Sequence, residues 1–288
     1  MISVYKKELR SYFTSLTGYV SISLILVLTG IFIKVIAFDN RYTFIENALP
    51  SASVIMLLAI PIITMSSFAG ERAQKTDTLL YSLPLSTRKI VLGKYFAMLT
   101  VLLIPVLVIS IVPFVISMYG TVSSFGIYSA LITFFLLISA MTAICTFMSS
   151  LVESQIIAAV LGSGALIVCY FANLLTSVIP KTEIASFISF VVLSAVAGLV
   201  VYYFVRSYAV AIAVGGVLEI TVACLYAFDR SVFLGLIQRS VDTIAIFDRF
   251  ANTVSARIFD IKTAVYYFSI SVLFTVLTTQ TVEKRRYS

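Results

Sequence analysis

Long apolar runs separated by short polar interruptions dominate the chain. In order they are Tyr19 to Ile36, Ala52 to Phe68, Tyr95 to Met118, Phe125 to Ser149, Gln155 to Leu175, Phe187 to Val205, Tyr208 to Phe228 and Thr263 to Gln280. Each is about the length that an α-helix needs to cross ~30 Å of hydrocarbon. The pattern predicts an all-α, polytopic membrane helical bundle of about eight apolar segments. Only Arg206 and Ser207 separate the sixth from the seventh. Segments 187–205 and 208–228 are therefore either full spans or a re-entrant hairpin, and the hairpin leaves six spans. Both counts are even, which puts the two termini on one side.

Two further stretches carry a helical period without a continuous apolar run. Ile2, Tyr5, Leu9, Tyr12, Phe13 and Leu16 recur every three or four residues, with Lys6, Lys7, Glu8 and Arg10 mostly off that stripe. This predicts an N-terminal interfacial helix over residues 1–17, lying along a membrane surface. The alternative is an extension of the first span. Between Asp229 and Lys262 the positions Phe233, Ile237, Val241 and Ile244, then Phe247, Phe250, Val254, Ile258 and Ile261, repeat the pattern. Residues 229–262 are thus expected to form one or two amphipathic helices in an extracytoplasmic loop, dipping into the outer interface. Pro61, Pro105 and Pro113 should bend the second and third spans.

Composition narrows the function classes. The chain is 60% hydrophobic and 11% charged, with mean hydropathy +1.08, outside the range of soluble domains. Its net charge of +7 does not point to nucleic acid, because the basic residues flank apolar runs instead of lining one polar face. Lys6, Lys7, Arg10, Arg72, Lys75, Arg88, Lys89, Lys94, Arg206, Lys284, Arg285 and Arg286 fall on one side of the predicted topology. Positively charged loops stay in the cytoplasm, so both termini are expected there. The first apolar run has no small-residue cleavage pattern nearby and is read as an uncleaved span. Cys145, Cys169 and Cys224 sit inside apolar segments without C-x-x-C spacing, and histidine is absent, so neither a disulfide framework nor a zinc site is indicated. The chain has no G-x-x-x-x-G-K-[ST] phosphate loop, no H-E-x-x-H and no facing pair of intramembrane carboxylates. No catalytic residue, metal site or bound cofactor is assigned to this chain.

The longest polar interruption in the first two thirds, residues 71–94, reads ERAQKTDTLLYSLPLSTRKIVLGK. Thr76 can cap a helix, Asp77 suits its N-terminal dipole, Leu79, Leu80 and Leu83 give it an apolar side, and Pro84 stops it. A second cap at Ser86 or Thr87 opens the helix that runs through Gly93 into the third span. A partly apolar helix held in water between two spans asks for a partner. This arrangement resembles the type 2 ATP-binding cassette (ABC) permease family. There the second span is followed by an acid-rich E-x-x-x-x-T, L-L, P-[LVI]-S and G-K, here Glu71, Thr76, Leu79, Leu80, Pro84, Leu85, Ser86, Gly93 and Lys94. The C-terminal stretch looks like the gliding-motility-associated branch, with Phe247 and Phe250, Ile258 and Asp260, and the Glu283 to Arg286 tail.

The resemblance implies a permease subunit, an exporter by expectation, that couples ATP hydrolysis by two separate ABC ATPase subunits to substrate movement. ATP and Mg would be bound by that partner. It also implies pairing with a second permease, as homo- or heterodimer. Glu71, Thr76, Asp77, Leu79, Leu80, Leu83 and Pro84 would form the ATPase contact, the N-terminal helix would lie beside it as a lever, and Glu153 near a second contact. Plainer readings stand beside these: the three leucines could tuck the loop against the membrane face, and Gly93-Lys94 could be a helix-packing glycine and a snorkelling lysine. Glu219, alone inside an apolar run, is a candidate intramembrane polar site expected to face the bundle interior, a wet cavity or a basic partner. It is also the titrating site of the alternative function, an ion-coupled secondary carrier or channel. A scaffold for a motility or secretion complex is a third class.

Overall fold

The computed structural model describes residues 1–39, 45–76, 86–117, 124–178, 182–184, 186–192, 194, 216–217, 219–226, 233 and 235–287. Among these the regular elements are helical and no strand occurs. The helices are α1 (Ile2–Thr14), α2 (Leu16–Ile33), α3 (Ala48–Ser53), α4 (Met56–Met65), α5 (Ala69–Ala73), α6 (Thr87–Ile109), α7 (Ile111–Ser117), α8 (Ser124–Leu151), α9 (Gln155–Val178), α10 (Leu236–Ile244), α11 (Ile246–Ala256) and α12 (Ile261–Tyr287). The chain divides into two compact units, Met1–Tyr170 with Ile246–Ser288, and Phe171–Ala245.

Five helical stretches among the described residues are long and apolar enough to cross a membrane: Leu16–Ile36, Thr87–Ser117, Phe125–Leu151, Gln155–Ala172 and Ile261–Arg286. They match the first, third, fourth, fifth and eighth apolar segments. The second segment is different, since α3 and α4 divide it and α4 alone is short. At Val54 and Ile55, between the two helices, the turn is tighter, with Leu57 and Leu58 donating to the i−3 carbonyls of Val54 and Ile55, whereas Pro61 lies inside α4. A proline ring presses on the carbonyl four residues earlier, and for Pro113 that is Ile109, where α6 ends before α7 begins. Pro105 lies within an unbroken α6. Most of segments 187–205 and 208–228 lies outside the described residues.

In the larger unit α8 is the axis. Most of its surface is buried, and α12, α4, α6 and α11 all pack on it. Ile127, Leu131, Phe134, Ile138, Met141 and Cys145 lie in one continuous apolar core with Ile60 and Ile63 of α4 and Met98 and Leu102 of α6. Hydroxyls on these helices find partners without water. Thr142 and Thr146 donate to the carbonyls of Ile138 and Thr142, at 2.7 and 2.6 Å. The Tyr95 hydroxyl crosses to the Ser139 carbonyl at 3.0 Å, and Ser139 meets Ser271 of α12 at 3.2 Å. Bonding of this kind, within and between helices, is what hydrocarbon demands of a polar side chain.

The amphipathic stretch after residue 229 forms two helices, α10 and α11, separated at Ala245. Instead of facing an interface, Phe247, Phe250 and Val254 of α11 are buried in the core. Phe250 stacks on Phe134 at 5.6 Å and Phe247 meets Tyr170 edge-on at 5.3 Å. On α11 the apolar side is taken up by protein, whereas Ile244, Ile258 and Ile261 of the same stripe are exposed. In the smaller unit, Phe187, Tyr226 and Phe233 form an aromatic cluster, with Phe187 and Tyr226 4.5 Å apart and Phe233 buried. This cluster joins the start of the sixth apolar segment to the end of the seventh.

Candidate functional site

The N-terminal helix α1 packs along α6, and three contacts set its register. Tyr5 shares a hydrogen bond with Thr100 of α6 at 3.0 Å, the Tyr12 hydroxyl donates to the Ile63 carbonyl of α4 at 3.4 Å, and Glu8 lies between them. Val4, Glu8 and Tyr12 form the buried side, whereas Ile2 and Leu16 are exposed. The periodicity placed Glu8 off the buried stripe; the structure rotates the helix so that Glu8 points inward. Gly93 makes the approach feasible. A Cβ at that position would stand 3.1 Å from the Val4 Cβ and 3.2 Å from the Met1 carbonyl oxygen. The packing role read for Gly93 is therefore what the contacts show.

Lys94 does not snorkel. Its side chain is completely buried, and the ammonium lies 3.0 Å from Glu8 Oε1, 2.9 Å from Glu71 Oε2 and 3.1 Å from the Ser67 carbonyl oxygen. The Phe68 ring covers it at 5.2 Å. Lys7 closes the set from the surface, with its Nζ 2.9 Å from Glu71 Oε1 and 3.4 Å from Glu8 Oε1. Two cations and two carboxylates thus form a neutral network joining α1, α5 and α6. Burial alone would desolvate such charges at a cost of several kcal/mol each, which only close, multiple partners offset. Burial pushes the Glu71 carboxyl up, yet the Lys94 charge and hydrogen bonds from Lys7 and Lys94 reverse this and hold it below its ordinary 4.5. For Lys7, burial lowers and the two glutamates raise, with the result above the ordinary 10.5.

A second set of contacts ties the neighbouring helix ends. Arg72 is buried and donates through Nη1 to the carbonyls of Ser150, at 2.6 Å, and Val152, at 3.2 Å. Arg285 of α12 donates to the Leu151 carbonyl and lies 4.0 Å from Glu153. Two guanidinium groups therefore cap the unsatisfied carbonyls and the negative dipole end of α8. Gly70 lets α5 approach the turn, since a Cβ there would stand 2.9 Å from Gln155 Nε2. Ala73, Glu153, Ser154, Gln155 and Ile156 line an open groove of about 560 Å³ beside this turn. We refer to this whole assembly as the basic end.

Of the residues assigned from sequence to the partner contact, Glu71 lies in the network and Thr76 donates to the Glu71 carbonyl at 3.1 Å. Asp77, Leu79, Leu80, Leu83 and Pro84 lie outside the described residues. Glu219 is exposed on the helical stretch 219–226 of the smaller unit. Asp260 caps α12, accepting from the Lys262 N–H at 3.0 Å and the Thr263 hydroxyl at 2.8 Å, which lowers its carboxyl pKa. Glu8, Lys7, Ser67 and Arg285 were not singled out from sequence. The available signal for Glu8 was its four-residue spacing from Val4 and Tyr12, which puts an acid on one line with a tyrosine.

At the opposite, far end Glu46 is buried next to an apolar cleft lined by Ile33, Leu49, Ile109 and Leu131. Its carboxylate lies 3.2 Å from Arg257 Nε. Arg257 follows α11 with φ 54°, a left-handed conformation that costs a non-glycine residue about 1–2 kcal/mol.

Comparison with known proteins returned no match among curated proteins or solved structures. The sequence model of the "ABC-2 family transporter protein" matches residues 2–202. That range takes in α1, the whole of residues 71–94 and both spans that flank them. The chain is a multi-pass membrane protein and belongs to the ABC-2 transporter family.

Proposed function

We propose that this chain is the permease subunit of an ATP-driven exporter, with both termini and the basic end in the cytoplasm. Hydrolysis takes place in two separate ABC ATPase subunits that carry the ATP and Mg, and the helix expected over Thr76 to Leu83 seats in them. The permease works as a pair, with a second copy or a related chain, and the likeness of its C-terminal stretch supports the gliding-motility-associated branch. The observation that carries this reading is the pairing of Glu71 with Lys94 at 2.9 Å. These residues bound the polar stretch, and their pairing holds its two ends side by side, which supports a docking element between them. The crowd of Lys6, Lys7, Arg10, Arg72, Lys94 and Arg285 around that pair supports its cytoplasmic side.

The test is reconstitution in nanodiscs of the full chain, alone and with the ABC-type ATPase encoded beside it. The permease should bind the ATPase and change its hydrolysis rate several-fold, and Leu80→Asp or Leu83→Asp should abolish that change while the permease stays folded. An ATPase that neither binds nor responds to the permease would sink the proposal.

A further inference from the structure

The ion network at the basic end is more than the capping of an isolated charge. Lys94 is fully buried, and each of its three polar contacts comes from a different part of the chain: Glu8 of α1, Ser67 just before α5 and Glu71 within α5. Glu8 lies 86 residues from Lys94 in sequence, and nothing covalent near the polar stretch links α1 to it. An interfacial helix that only rested on lipid would have no need of a buried acid on its inner side. Here that side carries Val4 against Gly93, Tyr5 against Thr100, Glu8 against Lys94 and Tyr12 against Ile63. At its C-terminal end α1 turns into α2 through extended Ser15, and the turn is tight: a Cβ at Gly18 would stand 2.3 Å from the Tyr12 carbonyl oxygen.

We infer that Lys94 is a positioning residue, which welds α1, α5 and the first turns of α6 into one rigid collar. The coupling part of this inference rests on the function proposed above. A push delivered to α5 and the start of α6 then moves α1 with them, and through the tight Ser15 turn it moves α2. The first span is driven together with the third, although no covalent segment of the polar stretch reaches it. The collar is a joint that keeps its shape: both acids contact both lysines, so shifting any one element by an ångström or two breaks charge-assisted hydrogen bonds that cannot be replaced by water at the buried Lys94.

Hydrogen exchange read by mass spectrometry on the full chain in nanodiscs tests the weld without any partner. In the native protein α1 amides should exchange as slowly as the first turns of α6. The double variant Lys94→Met with Glu8→Gln keeps volume and leaves Glu71 paired to Lys7, so the fold should survive. Its α1 exchange should rise about tenfold or more, as expected when a charge-assisted hydrogen bond is lost, with α8 unchanged. Unchanged α1 exchange would overturn the inference, because a space-filling lysine is replaced by methionine without loss. Should the double variant misfold, Glu8→Gln alone, which keeps the Lys94–Glu71 pair, must still raise α1 exchange selectively. A second arm adds the ATPase and traps the ATP state with vanadate. In the native complex α2 and α6 should change exchange together; in the double variant only α6 should respond, and an equal α2 response there would overturn the inference. Failure of the ATPase to bind would remove the proposed function while leaving the result of the first arm standing.

Discussion

The basic end and the far end each hold a buried acid against a cation, yet they are built to different standards. At the basic end two glutamates and two lysines contact one another at 2.9–3.4 Å, and the innermost cation has no exposed surface. At the far end Glu46 has one ion pair, with an arginine whose side chain is 38% exposed and whose backbone is left-handed. Among the described residues neither Glu46 oxygen accepts a hydrogen bond. A satisfied network spreads its charges over several partners, whereas at the far end one buried carboxylate depends on one ion pair.

The largest expected effect is at the basic end. Lys94→Met leaves two carboxylates with only Lys7 for company, and removing one member of a buried network costs about 3–5 kcal/mol. Thermal unfolding in detergent should show a large loss of melting temperature, and near-native stability would refute the weld. At the far end Arg257→Ala strips a buried carboxylate of its ion pair and should cost about 2–3 kcal/mol, less than at the basic end, where two carboxylates are left short. Arg257→Gly should cost less than Arg257→Ala because glycine adopts the left-handed conformation without strain. If the order of these two were reversed, the strain at residue 257 would be irrelevant to stability.

The smallest expected effect is that of pH. The Glu71 carboxyl is held below 4.5, so its contribution is present above that value and is lost as pH falls through the lowered one. The Lys7 ammonium is held above 10.5, so its contribution is present below that value and is lost only as pH rises past the raised one. Protection of α1 against exchange, corrected for intrinsic rate, should therefore stay level between about pH 5.5 and 9.5. A step inside that window would mean that another group titrates in the collar.

Sequence periodicity revealed the helices but not which side of them meets protein. Apolar length alone located five of the long helices, because hydrocarbon thickness leaves little freedom. It read the second segment as one run, and nothing in its hydropathy marks the tight turn at Val54 and Ile55 that divides α3 from α4. Glu71 and Lys94 stood out as the ends of one motif, yet Lys94 looked like a lysine on its way to the surface. Its true surroundings depend on Glu8, and nothing local in Glu8 marks a partner so distant in the chain. Phe247 and Phe250 carried the same ambiguity: an apolar stripe has one signature whether lipid or the face of α8 receives it.

The neutrality of the quartet has an electrical consequence. Two positive and two negative side chains cancel within it, so a fully buried ammonium is held without an uncompensated charge beside it. One such charge crossing the field across the bilayer would exchange about 2.3 kcal/mol per 100 mV, and the quartet as a unit would exchange none.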